Sequence, residues 1–185
     1  MTSTIYRDGS KAIKFYEKIS MSDVEREVAL QEFARKAGLP VPEVYGIREL
    51  ENGAIAIDMQ YIAGQPLMHK SMNKDERAEA LLKMIRLQRK IHEVDASQLA
   101  SDTNQLNHLC HGDIHPLNIL WDGEKHWIID WVDAHAGDPL ADALRTYNIF
   151  QEHIKRMAGM YLRFYCKEAG VSQDEILNST IKLSI

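Results

Sequence analysis

The hydrophobic and polar positions change rhythm along the chain. Lys11-Ala12-Ile13-Lys14-Phe15-Tyr16 alternates with period two. With the β-prone run at 3–7 and the turn Asp8-Gly9-Ser10, it predicts an opening β-hairpin. A helix is predicted over 22–37. At about 100° per residue, Val24, Val28, Leu30, Phe33, Ala34 and Ala37 form one broad apolar face. Ser22 and Glu25 have capping-box spacing, and Gly38 is the stop, with Pro40 and Pro42 beyond it. Two further β-prone runs, around Val44-Tyr45 and over 54–59, flank the turn Glu51-Asn52-Gly53.

Gly64-Gln65-Pro66 reads as a hinge, after which the pattern turns helical. Asn73 and Glu76 repeat the capping spacing, and Leu81, Leu82, Ile85 and Ile91 supply an apolar face up to about Val94. A polar stretch over 95–107 leads to Leu109-Cys110-His111-Gly112-Asp113. Asn118-Ile119-Leu120-Trp121 and Trp127-Ile128-Ile129-Asp130 then flank the turn-forming residues 122–126 as a second hairpin pattern. Residues 140–169 read as helix, with Gly170 as its stop and a short segment after it. This order predicts an α+β chain in two lobes, a β-rich one over 1–64 and a mostly helical one over 65–185.

Composition narrows the class. With 185 residues, 45% hydrophobic and 26% charged, the chain suits one domain or two small lobes. No apolar run approaches the ~20 residues of a membrane span, and the first residues lack a signal-peptide pattern. Cys110 and Cys166 make neither a metal-binding pair nor a disulfide framework, so a cytoplasmic protein is expected. A net charge of −5 disfavours nucleic acid as a partner and is mildly compatible with a cationic small molecule.

The candidate chemistry lies in His111-Gly112-Asp113-Ile114-His115-Pro116-Leu117-Asn118. Gly112 and Pro116 oppose a helix, so a loop entering the second hairpin is expected. Counting rungs puts Asn118 opposite Ile129 or Asp130, so Asp113, Asn118 and Asp130 can cluster. Asn118 and Asp130 offer hard oxygen ligands, which suit Mg²⁺. Asp113 is left to orient a hydroxyl and accept its proton. Taken singly, each is more ordinarily a turn former or a strand-end polar residue. His111 reads as structural; His115 could hold the loop or line the substrate side. A zinc site at His108, His111 and His115 would need a helix there and a fourth ligand, and neither is indicated.

At this point the sequence resembles the aminoglycoside phosphotransferase and choline kinase family. Residues 111–120 are similar to its catalytic loop, Ile129-Asp130-Trp131 to its metal-binding strand, and Gly137-Asp138-Pro139-Leu140-Ala141-Asp142 to the segment that follows. The resemblance covers roughly residues 3–169. It implies a protein-kinase-like fold that transfers the γ-phosphate of ATP or GTP to a hydroxyl of a small molecule.

The nucleotide side carries further candidates. On the first hairpin Ala12 and Lys14 share a face, which leaves room for a flat base with the ammonium reaching the phosphates. A lone strand lysine is otherwise a solvated one. Glu27 lies inside the apolar face of the first helix, and a buried acid needs a partner. Lys14 is the candidate partner, although Glu27 at the rim of that face could instead reach water or Arg26. Asp23-Val24-Glu25-Arg26-Glu27 also resembles the family's helix, whose second Glu pairs with the strand Lys. Residues 56–64 resemble the family's hinge, which implies backbone groups of Gln60 and Ile62 on the adenine edge and Met59 behind the base.

Two departures qualify the match. Family members carry a strand and a glycine-rich phosphate-covering loop ahead of the segment that here begins at Ser3, and no such loop occurs in this sequence. Its absence motivates the rival expectation of a degenerate, non-catalytic nucleotide-binding protein, and makes a lobe-covering homodimer a partner to test for. The second departure is at the other end: the connector 65–107 holds one obvious helix and about 16 residues follow Ala169, so an acceptor pocket that is small, open or completed by a partner is expected. Leu117, where Gly is common in the family, is a minor change.

Overall fold

The computed structural model describes residues 3–99 and 107–179. Of the polar stretch 95–107, residues 100–106 lie outside the described residues. By internal contacts the chain divides into two compact units. One comprises Met1–Gln65 with Leu120–Val132, the other Pro66–Ile119 with Asp133–Ile185.

The first unit begins with β1 (Ser3–Asp8), β2 (Lys11–Tyr16), α1 (Met21–Lys36), β3 (Val44–Glu49) and β4 (Ile55–Gln60). The four strands form one antiparallel sheet in the order β1-β2-β4-β3. β2 is therefore an interior strand, and its register sets Ala12 opposite Met59 and Lys14 opposite Ile57. Tyr16, Val24, Ile55 and Ile57 make the buried core between α1 and this sheet.

The start of α1 differs from the expected one. Ser20, not Ser22, is the N-cap: its backbone is extended and its hydroxyl accepts the Asp23 N–H at 3.2 Å. Ser20 and Asp23 have the same i, i+3 spacing as Ser22 and Glu25, and the earlier pair wins. The buried face of α1 is Val24, Glu27, Leu30, Gln31 and Ala34, whereas Ala37 is exposed. Gln31 is stabilised there by its side-chain amide, which donates to Pro42 O at 2.9 Å.

Beyond β5 (Gln65–Pro66), the second unit contains α2 (Lys74–His92), β6 (His108–Cys110) and a 3-10 turn over Pro116–Asn118. The hairpin of β7 (Ile119–Trp121) and β8 (His126–Ile128) follows. The sequence reading assigned all of 65–185 to the helical lobe, whereas contacts group Leu120–Val132 with the first unit. The Ile128 N–H donates to Pro40 O at 2.8 Å, and Gly64 lies so close to Trp121 O that a Cβ there would sit 2.9 Å away.

The chain continues in the second unit with β9 (His135–Gly137), antiparallel to β6, and then α3 (Pro139–His153), α4 (Lys155–Ala169) and α5 (Gln173–Leu177). The capping box of Asn73 and Glu76 on α2 forms as expected, and Gly170 ends α4 with φ 72°. The single helix expected over 140–169 is two helices, broken at Ile154 (φ −146°, ψ 68°). No Pro or Gly marks the break. It lets α4 fold back on α3, with Phe150 and Tyr161 rings 5.5 Å apart, which one straight helix could not do. No described helix is long and apolar enough to cross a membrane.

Candidate functional site

In the first unit, alternation along β2 turns Lys14 and Tyr16 inward, and α1 turns Glu27 toward them. Lys14 is 4% exposed, so the solvated-lysine reading fails. Its Nζ donates to Glu27 Oε1 at 2.7 Å and to Asp130 Oδ1 at 2.8 Å, and the Tyr16 hydroxyl donates to Glu27 Oε2. Burial works against the Lys14 ammonium, but Glu27 and Asp130 outweigh it and hold its pKa above the ordinary lysine value. Burial and the Glu27 carboxylate likewise push the Tyr16 hydroxyl up.

Asp130 follows β8, with φ 66°. A non-glycine residue in the left-handed region is uncommon, and here that backbone aims the carboxylate at Lys14. A cavity of about 150 Å³ opens onto this cluster. Of the residues assigned to the nucleotide from sequence, Ala12, Lys14, Glu27, Met59, Gln60 and Ile62 all line it, together with Asp130. The Gln60 N–H donates to Glu43 O at 2.8 Å, which removes it as a donor to a ligand.

In the second unit, Asp113 and Asn118 come together. Asn118 Nδ2 donates to Asp113 O at 2.9 Å and to Asp113 Oδ2 at 3.1 Å. His115 caps the 3-10 turn: its Nδ1 accepts the Leu117 N–H at 3.3 Å. That fixes the ring proton on Nε2, which lies 3.5 Å from Asp113 Oδ2. Burial raises the Asp113 carboxyl, but His115, His111 and Arg145 outweigh it, and the net effect is a pKa below the usual value. His111 is fully buried and its Nδ1 accepts the Asp113 N–H at 3.3 Å, as a structural histidine would.

Behind this turn sits a buried anchor that sequence reasoning passed over. Asp142 Oδ1 accepts the Gly112 N–H at 2.8 Å. Its Oδ2 accepts from His92 Nε2 at 2.8 Å and Gln88 Nε2 at 3.1 Å. Gln88 also donates to Thr146 Oγ1 and accepts from the Tyr161 hydroxyl, so the network is closed. Burial opposes the Asp142 carboxylate, yet these donors, His92 foremost, hold its pKa well below the usual range. Gly112 has φ 79°, and a Cβ there would sit 2.4 Å from Asp133 O, so only glycine fits.

Among the described residues, the one set of three ligand-type side chains close enough to share an ion is His92, Cys110 and Asp142. His108, His111 and His115 do not form one. Burial pushes the Cys110 thiol up, away from the thiolate a metal would need, and His92 and Asp142 are already paired.

The sequence profile of the phosphotransferase enzyme family matches residues 4–108 and 98–175. The chain belongs to the phosphotransferase enzyme family. Solved structures with similar folds include aminoglycoside phosphotransferases and an amicoumacin kinase. An aminoglycoside-3'-phosphotransferase of type VIII aligns with TM-score 0.70 at 14% identity, covering 94% of this chain and 85% of its own. Aminoglycoside phosphotransferase APH(3'')-Id from Streptomyces rimosus aligns with TM-score 0.66 at 16% identity, covering 94% and 86%. Amicoumacin kinase hAmiN, solved with AMP-PNP, Ca²⁺ and Ami, aligns with TM-score 0.61 at 9% identity, covering 89% and 71%. No curated protein matches by sequence. The protein is thus a member of the phosphotransferase enzyme family with the protein-kinase-like α+β fold of these structures, a sheet unit and a helical unit.

Within this phosphotransferase, sequence reasoning missed three kinds of contributor. Leu120 and Ile129 line the same cavity; the sequence reading placed both in the second hairpin and gave neither a role. Tyr16 holds Glu27, and its position two residues from Lys14 on one strand face was the available signal. Asp142 was noticed only as part of a motif, because its partners come from 50 and 30 residues away.

Proposed function

We propose that the protein moves the γ-phosphate of ATP or GTP to a hydroxyl of a small molecule. Lys14 positions the α- and β-phosphates and Glu27 orients Lys14. Ala12 and Met59 flank the base, with the Gln60 carbonyl and the Ile62 backbone on its edge. Asp113 accepts the proton of the attacking hydroxyl. The acceptor oxygen bonds to the γ-phosphorus as the bond to the bridging oxygen breaks, and the nucleoside diphosphate leaves with that electron pair.

Asn118 and Asp130 are the proposed Mg²⁺ ligands, and the donor set fits. The Asn118 amide nitrogen is engaged by Asp113, which leaves its carbonyl oxygen as the donor atom. The Asp130 side chain is 39% exposed and offers a hard carboxylate. Bound there, the ion would neutralise charge on the phosphates. The chain's own contribution is position and charge: a buried ammonium held by two carboxylates, and a carboxylate held by two donors.

The observation that carries this reading is the Lys14–Glu27–Asp130 cluster at one cavity, formed by three separated stretches of sequence. A purely structural ion pair would have no need of a cavity lined by every predicted base-contacting residue. Thermal stabilisation by ATP with and without Mg²⁺ tests it. Wild type is expected to gain a Mg²⁺-dependent shift that Asp130→Ala loses. An Asp130→Ala protein with undiminished Mg-ATP affinity would refute the assignment.

A further inference from the structure

A larger cavity, about 480 Å³, belongs to the second unit. That volume suits a small organic ligand. Its apolar wall includes Leu117, Ile149, Phe150, Ile154 and Met157. Leu117 and Ile154 are 61% and 47% exposed, although both are large aliphatic residues. Exposed aliphatic surface that converges on one concavity is what an apolar ligand would cover.

The ionisable groups of this wall are all bases. They are Lys70, Arg77, His69, His115 and His153, and no Asp or Glu lines the cavity among the described residues. Arg77 is held by backbone rather than by a carboxylate: Nε donates to Met72 O at 2.9 Å and Nη2 to Lys70 O at 3.0 Å. Those bonds fix its position without cancelling its charge. The cavity therefore opposes the sign of the whole chain, which carries −5, and the cationic ligand suggested by net charge finds no carboxylate here to pair with. His115 joins the cavity to the reaction, since its ring lines the wall and reaches to 3.5 Å from Asp113 Oδ2.

We propose that this cavity receives the acceptor, and that the acceptor is an alcohol on an apolar body bearing an anionic group rather than a polycationic amino sugar. The inference rests on the phosphotransferase reading above and names the substrate class of that same reaction. The apolar body lies against Leu117, Ile154 and Met157, and Lys70 and Arg77 face the anion. The anionic group takes no part in bond making. The hydroxyl oxygen takes the phosphoryl group, and its proton passes to Asp113.

The test uses the full chain with Mg-ATP and four probes: 10-hydroxydecanoate, 4-(hydroxymethyl)benzoate, the methyl ester of the first, and the amino sugar kanamycin. Nucleotide binding is read by thermal shift, acceptor binding by calorimetry and transfer by ADP release. At least one hydroxy acid is expected to bind and turn over, with kcat/KM about tenfold or more above ester and amino sugar. Ile154→Asp, an exposed substitution at the N-cap of α4, should weaken that acid by about tenfold while leaving the Mg-ATP shift intact. A Mg-ATP shift with turnover of kanamycin in preference to both acids would overturn the inference and leave the phosphotransferase reading standing. So would failure of both acids to bind. Acid binding that is sensitive to Ile154→Asp, without any Mg-ATP shift, would instead sink the phosphotransferase reading and with it the acceptor role.

Discussion

The two cavities, both lined mostly by apolar residues, differ in how their charge is held. The smaller one has a paired ionic cluster on its wall, with Lys14 shared between Glu27 and Asp130 and Tyr16 closing the second oxygen of Glu27. The larger one is apolar, with bases on its wall and no acid among its described lining residues. In the first, every charge has an internal partner, so each residue is specified by another and little variation is tolerated. In the second, Leu117 and Ile154 stay exposed on the wall, 61% and 47%, and the bases stand beside them.

The largest effect that would sharpen this contrast is in rate. Asp113→Ala should lower turnover by about 10²–10⁴-fold, as loss of a positioned general base does, with Mg-ATP affinity unchanged. Steady-state kinetics beside nucleotide calorimetry separates the two quantities; a parallel loss of nucleotide affinity would break the division of labour between the units. Next comes Glu27→Ala. It leaves Lys14 buried with one partner fewer, so a loss of about 3–5 kcal/mol in urea unfolding is expected. A loss below ~1 kcal/mol would show that the cluster is not a closed charge network.

The smallest effect concerns the anchor beneath the catalytic turn. Asp142→Asn weakens the bonds to Gly112 and His92, and about 1–3 kcal/mol is expected near neutral pH. The sign with pH follows from the direction of the shift. A folded-state pKa held below the unfolded value contributes stability that is complete above the ordinary carboxylate value, near 3.8. It is lost as pH falls from there toward the folded-state value. Urea unfolding of wild type and variant should therefore converge as pH is lowered from about 4 toward 2. Parallel curves over that range would remove Asp142 from the acid response.

Much of the first unit was legible because its periodicities are short. Period two on 11–16 identified the face of Lys14, and the helical period singled out Glu27 as the one acid on an apolar face. The same reasoning overreached at Ala37, which is exposed, and passed over Gln31, which is buried because its amide reaches Pro42 O. In the second unit the turn at 111–118 was legible from Gly112 and Pro116. The break at Ile154 was not, because residues 150–158 have no helix breaker and the cause is the packing of α4 back on α3.

The sequence by itself determined most of the elements, the loop that carries Asp113 and the faces on which Lys14 and Glu27 stand. These follow from local geometry, in which a residue's face is set by its near neighbours. Only the tertiary structure decided that Asp142 ties Gly112 to His92 and Gln88, and that Leu117 shares a concavity with Ile154 and Met157. Those groupings join residues tens of positions apart. Which of many possible long-range contacts forms depends on how whole helices pack, a property that no short window of the chain contains.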